Sequence, residues 1–302
     1  MKFSRLSLIA LVAGTACAQF GGRPGDAVVY LISSKGDQGF EAVPSGYVNP
    51  ALATSRFQTL SVPKLPITDV IDFSMLHIQT IHTDPDDVFQ MIIQDNDVAA
   101  PHHLYQTTFK IFVIEGLRRD YGYDSELPRD FTTGGYTTFL KNADLGPNLA
   151  MGAKLMVLGW TNSDIRPPII ASPANTRGPA VPPGKTGTQL IVDLAVLPGL
   201  NAWSPLRLKY PTVGFTDGTD IKFIEKDPVA GNVTQLLRLR PGRKAPAFRM
   251  HGNTHFYVVQ GGLTLTPVGG KPILLQANDY AYIPDGLAFT LLNSRTGLSV
   301  TP

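Results

Sequence analysis

The sequence predicts an all-β protein made of two β modules joined by a proline-rich segment. Three observations carry this. Runs of β-branched and aromatic residues, most of them four to nine residues long, recur along the whole chain. No long stretch of 3.6-residue apolar periodicity interrupts them. Glycine, proline, asparagine or aspartate separates many of the runs, from a pool of 29 glycines and 25 prolines.

In chain order the first element is a leader. Lys2 and Arg5 form a short basic start, Leu6 to Ala16 is an apolar run too short to span a bilayer, and Ala16-Cys17-Ala18 has the small-x-small form of a cleavage site. Residues 1–18 therefore read as a secretory signal peptide, and the expected location is secreted. Loss of Lys2 and Arg5 lowers the 26 basic residues to 24, against 24 acidic ones. A balanced charge offers no basic excess to attract nucleic acid or an anionic membrane, so neither is an expected partner. The single cysteine, Cys17, leaves with the leader, so the mature chain is expected to hold no disulfide, thiolate metal site or cysteine nucleophile. Asn232-Val233-Thr234 is the one glycosylation sequon, which makes Asn232 the candidate acceptor.

The strand-like runs are Ser74–His82, Val88–Ile93, Thr108–Glu115, Lys154–Leu158, Gln189–Leu197, Thr234–Leu239, His255–Val259, Leu263–Pro267, Asp279–Ile283 and Phe289–Leu292. Between Asp164 and Lys185 stand Pro167, Pro168, Pro173, Pro179, Pro182 and Pro183, which favour extended chain and cannot donate to a sheet ladder. The expected division is 19–163 for an N-terminal β domain, 164–208 for a linker or strap and 209–302 for a C-terminal β domain. A long repeat supports two modules: Pro101–Gly116 and Pro246–Gly261 have the same proline-to-glycine spacing and each ends in a hydrophobic strand.

The C-terminal copy is the better patterned. Pro241-Gly242 opens a first motif that Gly261 closes, and Pro284-Asp285-Gly286 with Asn293 forms the turn and tail of a second. These residues resemble the cupin superfamily, and the resemblance implies two cupin-like (jelly-roll) β-barrels joined by the proline-rich segment. The family's ligand positions are substituted: its histidines fall on Phe248 and Met250, its glutamate on Thr254 and its second-motif histidine on Phe289. Two rings, a thioether and a hydroxyl do not suit a hard or borderline divalent ion, so no metal is expected in the C-terminal barrel. His251 and His255 stand one step off, on the opposite side of a strand, and read as surface or loop histidines.

The N-terminal copy, Pro101-His102-His103-Leu104-Tyr105 to Phe109 and Gly116, resembles the arrangement in secreted fungal quercetin 2,3-dioxygenases. That family is implied to carry its metal in the N-terminal cupin alone. Here His102 with Leu104, or His103 with Tyr105, takes the histidine pair, and Phe109 replaces the glutamate. The second motif falls on Gly134 to Leu145. The candidate catalytic residues are His102, Glu115 and Tyr105. Glu115 is six residues beyond Phe109, so an unbroken strand points both inward. His102 is the candidate ligand for one divalent transition metal, with His77 or His82 and Glu115 as conceivable companions. His77 and His82 are five apart, which puts them on opposite faces of a regular strand. Phe109, Phe248, Met250 and Phe289 are candidate substrate-binding residues.

The leading expectation is a dioxygenase-like oxidoreductase acting on a phenolic or polyketide-type aromatic. The alternatives are a metal-free cupin that isomerises, cyclises or dehydrates such a compound by acid–base work, and a non-catalytic ligand-binding cupin. The resemblance also admits a homodimer. Asp84 to Asp87 and Asp95 to Asp97 read as solvated turns, Arg118-Arg119 as a solvated basic pair, and Trp160 and Trp203 as packing residues.

Overall fold

A computed structural model describes residues 20–33, 39–70, 73–85, 87–97, 99–100, 103–104, 107–120, 129–139, 144–145, 148–152, 154–161, 169–170, 188–193, 202–227 and 231–294. The leader and most of the proline-rich segment lie outside these residues. The chain divides into two compact units, Met1–Pro63 with Pro198–Pro302, and an inserted unit, Lys64–Leu197.

The opening segment gives β1 (Ala27–Ser33), β2 (Phe40–Ala42), the short helix α1 (Ala51–Arg56) and β3 (Gln58–Ser61). The inserted unit gives β4 (Thr68–Val70), β5 (Phe73–Asp84), β6 (Asp87–Gln94), β7 (Ala99–Ala100), β8 (His103–Leu104), β9 (Phe109–Glu115) and β10 (Leu117–Asp120). It continues with β11 (Arg129–Thr132), β12 (Gly135–Phe139), β13 (Asp144–Leu145), β14 (Asn148–Ala150), β15 (Leu155–Thr161), β16 (Ile169–Ile170) and β17 (Thr188–Asp193). The closing segment gives β18 (Ser204–Pro205), the one-turn helix α2 (Leu206–Lys209), β19 (Thr219–Lys226), β20 (Val233–Leu239), β21 (Lys244–Met250) and β22 (Thr254–Gln260). It ends with β23 (Gly262–Pro267), β24 (Ile273–Gln276), β25 (Asp279–Ile283) and β26 (Ala288–Leu292). Among the described residues no helix is long and apolar enough to cross a membrane.

In the first unit a seven-stranded antiparallel sheet, β18-β19-β20-β1-β22-β25-β3, faces a five-stranded one, β2-β21-β26-β23-β24. Val29, Leu31, Leu237, Phe256 and Val258 from the first sheet meet Phe248, Leu263, Leu265, Phe289 and Leu291 from the second in one core. The inserted unit repeats the plan with sheets β17-β12-β9-β15-β6-β5-β4, β11-β10-β14-β7 and β13-β8-β16. Phe109, Ile111, Val113, Phe131, Phe139 and Val157 form its described core.

Two boundaries differ from the sequence-based division. The segment assigned to the front of an N-terminal domain belongs to the C-terminal barrel, because β1 lies between β20 and β22. The cause is its composition: all seven residues of Ala27–Ser33 are buried, and such a strand needs partners on both edges and cover on both faces. The strap also contributes structure, since β17 pairs with β12 of the inserted unit. On the outer face of the first unit's large sheet, Arg238 bonds its cross-strand partner Asp220 at 2.8 Å, and Trp203 stacks 4.3 Å over that guanidinium. Trp203 is a packing residue, as expected.

The repeat is visible as identical local geometry. β22 ends at Gln260 and Gly261 follows with φ 73°; β9 ends at Glu115 and Gly116 follows with φ 95°. A Cβ on Gly116 would stand 2.7 Å from the carbonyl oxygen of Lys154, and one on Gly261 closer still to that of Asp26. Lys154 and Asp26 each immediately precede the neighbouring strand, β15 and β1. Both pairings also carry the same bulge, with Val28 opposite Gln260 and Val29 opposite Val258, and Met156 opposite Glu115 and Val157 opposite Val113. Val259 and Ile114 are the extra residues.

Asn232 lies in the β19–β20 connection and is 1% exposed. A glycan needs a solvent-facing amide, and the Asn232 side chain is buried in the folded chain.

Gly116→Ala and Gly261→Ala are each expected to destabilise their barrel by at least about 2 kcal/mol, from left-handed backbone strain plus the carbonyl clash. Urea unfolding of each variant measures this, and a loss below about 0.5 kcal/mol contradicts it. Intact-mass analysis of protein from a glycosylating host is expected to show no glycan on the Asn232 peptide.

Candidate functional site

In the first unit the residues at the family's ligand positions form an apolar plug. Phe248 and Phe289 are direct cross-strand partners with ring centroids 4.6 Å apart. Phe40 and Phe215 each sit 5.3 Å from Phe248 and 5.6 Å from one another, tilted or edge-on. Phe248, Met250 and Phe289 are buried in the core, so they pack against protein instead of lining an open cavity as expected for substrate-binding residues. Thr254 donates to the hydroxyl of Ser33 at 3.1 Å.

The two histidines of this unit face away from that interior. His251 is exposed on a turn, with Nε2 3.1 Å from Glu41 Oε2. Glu41 also accepts both arms of Arg249, and this bonding holds its carboxyl below the usual range. His255 corrects the expectation of a surface histidine. It is fully buried on the outer face of the sheet, with Nδ1 2.7 Å from the Tyr280 hydroxyl. Burial also pushes the phenols of Tyr30 and Tyr257 well above their ordinary range, so neither suits proton transfer near neutral pH.

In the inserted unit Phe109 is completely buried, its ring filling the space above Gly159. Glu115 is exposed, contrary to the inward orientation expected of it. The bulge at Ile114 inserts one residue between Val113 and Glu115 and reverses the alternation. His77 and His82 are corrected in the same way. A bulge between Thr80 and His82 sets six residues of β5, His77 to His82, against five of β6, Ile93 to Phe89, so both imidazoles take the outer face. His77 lies 2.7 Å from Asp69 and 3.4 Å from Asp95, and its bond to Asp69 raises its pKa. His82 is buried 3.3 Å from Asp84. His102 and Tyr105 lie outside the described residues. The backbone of β8 pairs His103 with Leu145, which brings the two candidate motifs side by side.

What the sequence reading missed is a buried ion pair. Arg118 pairs across strands with Phe131 and Ala150, both members of the barrel core, and its guanidinium lies 5.7 Å from the core ring of Phe139. Residues directly opposite in a ladder share a face, so Arg118 points inward. It is 5% exposed and donates through Nε to Asp120, also 5% exposed, at 2.8 Å. Asn148 stands opposite Asp120, and its carbonyl accepts from the buried Gln94 amide at 3.2 Å. The solvated basic pair expected at 118–119 is therefore split: Arg119 reaches outward to Asp130, and Arg118 is interior. The signal was present, since opposite charges two apart on a strand share a side.

Among the described residues no group of three or more His, Cys, Asp or Glu side chains is close enough together to hold a metal ion. Four of the six histidines, His77, His82, His251 and His255, are directed away from both interiors, and Glu115 is in solvent. The described donors do not fit the ligand set of a cupin metal.

Residues 235–298 match the family model described as the cupin domain. No curated protein matches the chain in sequence. Among solved structures, a deletion mutant of oxalate decarboxylase from Bacillus subtilis is 12% identical with a TM-score of 0.56, covering 84% of this chain and 77% of that one. Salicylate 1,2-dioxygenase from Pseudoaminobacter salicylatoxidans, in adducts with gentisate, is 14% identical with a TM-score of 0.56, covering 81% and 80%. These likenesses run over both units. The chain therefore has the two-cupin fold of the cupin superfamily, with its sequence hallmark in the C-terminal barrel.

Proposed function

We propose that the protein is a secreted two-cupin oxidoreductase whose substrate, a small phenolic aromatic with an anionic oxygen, binds in the inserted barrel against Arg118. The observation that carries this is the contrast between the interiors. The first unit closes its interior with four phenylalanines, and the inserted unit keeps a buried guanidinium inside. A buried ion pair adds little net stability over apolar packing, so Arg118 and Asp120 are better explained by binding than by folding. Asp120 occupies Nε, and among the described residues no hydrogen bond takes the terminal nitrogens of Arg118. That leaves a donor fork suited to a carboxylate, phenolate or enolate. By their names, oxalate decarboxylase and salicylate 1,2-dioxygenase act on compounds that carry such a group.

Arg118 would hold and orient the anionic oxygen, while the surrounding apolar residues exclude water and strengthen that bond. His102 is the residue assigned to proton transfer or metal binding. Glu115 has no part in this site.

Breaking the pair by removing Arg118 alone strands a buried carboxylate, so the informative variant is the volume-matched Arg118→Met/Asp120→Leu double mutant. Wild-type protein is expected to bind a phenolic acid, with affinity at least about tenfold weaker in the double variant, since bonds to charged groups are worth about 1.5–3 kcal/mol. Affinity for the matching uncharged phenol is expected to change less than about twofold. Equal binding of the acid by both proteins overturns the reading. Oxygen consumption by wild type with the bound compound, absent in His102→Ala, supports the oxidoreductase course. Turnover without oxygen moves the assignment to acid–base chemistry.

A further inference from the structure

The first unit contains a pocket of ≈ 280 Å³ that is separate from the ligand positions filled by the phenylalanine plug. Gln235, Phe223, Tyr210, Lys209 and Lys226 line it. The placement follows from the strand pattern. Gln235 shares the inner side of β20 with Leu237 and Leu239, and Phe223 of β19 is its cross-strand partner. Lys209 ends α2 and Tyr210 follows it, with the Tyr210 ring set edge-on to Phe40 at 5.1 Å. The pocket's aromatic wall thus leans on the outside of the plug.

Gln235 is the decisive residue. It is 2% exposed, and its amide nitrogen has no hydrogen-bond partner among the described residues. A buried amide without a partner costs roughly 1–3 kcal/mol, and an apolar side chain of similar size, leucine or methionine, was open to this position. Native interiors satisfy nearly all such groups, so one left open at a pocket wall marks the place of a ligand acceptor. The lysine ammonium groups give the pocket positive charge, and among the described residues no carboxylate lines it. Phe223 is 39% exposed, an aromatic ring offered to the pocket instead of the core.

We infer that this pocket binds a single-ring aromatic carboxylate, with the carboxylate accepting from the Gln235 amide and neutralised by Lys209 and Lys226, and the ring between Tyr210 and Phe223. The size sets the class: at the lower edge of the roughly 300–1,000 Å³ typical of small-molecule sites, it takes one ring and not a polycyclic compound. The site is independent of Arg118 and requires no metal.

Benzoate is the probe, titrated by calorimetry into the full chain at low and high salt. Wild type is expected to bind it, more weakly as salt rises, and to bind benzamide at least tenfold more weakly. Gln235→Leu is expected to lose benzoate binding by tenfold or more while its melting temperature stays level or rises, because the unpartnered amide is gone. Gly39→Leu supplies a second test. A Cβ at Gly39 would meet only Tyr210, at 3.7 Å, so the longer side chain grows into the pocket without disturbing the core. It is expected to block benzoate as well. Absence of benzoate binding to wild type, or unchanged binding in both variants, overturns the inference. Binding that survives Gln235→Leu and Gly39→Leu but fails in Arg118→Met/Asp120→Leu also overturns it and assigns benzoate to the inserted barrel. The reverse pattern upholds this site whatever the fate of the other.

Discussion

The two units depend on one local constraint, a strand that must end in a bulge and a left-handed glycine because another strand begins against its backbone. Gly261 turns where Asp26 leads into β1, and Gly116 turns where Lys154 leads into β15. Neither place has room for a Cβ, and each φ is one that only glycine adopts freely. The bulge beside each glycine increases local twist, which a sheet needs in order to curl over its partner and close a core. Recurrence of bulge, glycine and neighbouring strand start in both units means that the barrels share a frame even where their side chains have diverged.

That frame explains which parts of the molecule were legible in the sequence. The repeat from proline to glycine was readable because glycine and proline are dictated by backbone geometry, and the strand runs were readable because their period is local. The barrel membership of Ala27–Ser33 was not, since a fully apolar strand states that it is central without stating between which partners. Orientation failed wherever a bulge intervened. Glu115, His77 and His82 were each placed by counting residues, and one inserted residue exchanges the faces of everything beyond it. No bulge separates His251 and His255 from the ligand positions beside them, so one step along the strand did put them on the opposite face. Parity did not reveal burial, because the outer face of the large sheet is itself buried at His255.

The same frame holds two different interiors. In the first unit the positions that would coordinate a metal carry rings that pack on one another, each pair worth about 0.5–1.5 kcal/mol beyond area burial. A chain with a single cysteine can form no internal disulfide and must draw its stability from such packing, and the plug supplies it where a polar site would have subtracted it. The inserted unit makes the opposite choice at Arg118 and Asp120, a pair that brings little net stability and was hidden in the sequence behind the outward-facing Arg119.

Burial of polar groups is therefore the sharper guide to function in this chain than the histidines that first draw attention. Histidines at the rim or outer faces satisfy themselves with aspartate or tyrosine neighbours, as His77, His82 and His255 do. The guanidinium of Arg118 lies in a barrel interior, and the Gln235 side chain lines a pocket of small-molecule size. Desolvating those groups opposes folding, and an acceptor brought from outside would relieve the opposition. In both proposals that acceptor has the same character, an anionic oxygen on a compact molecule, reached through a different wall of the shared frame.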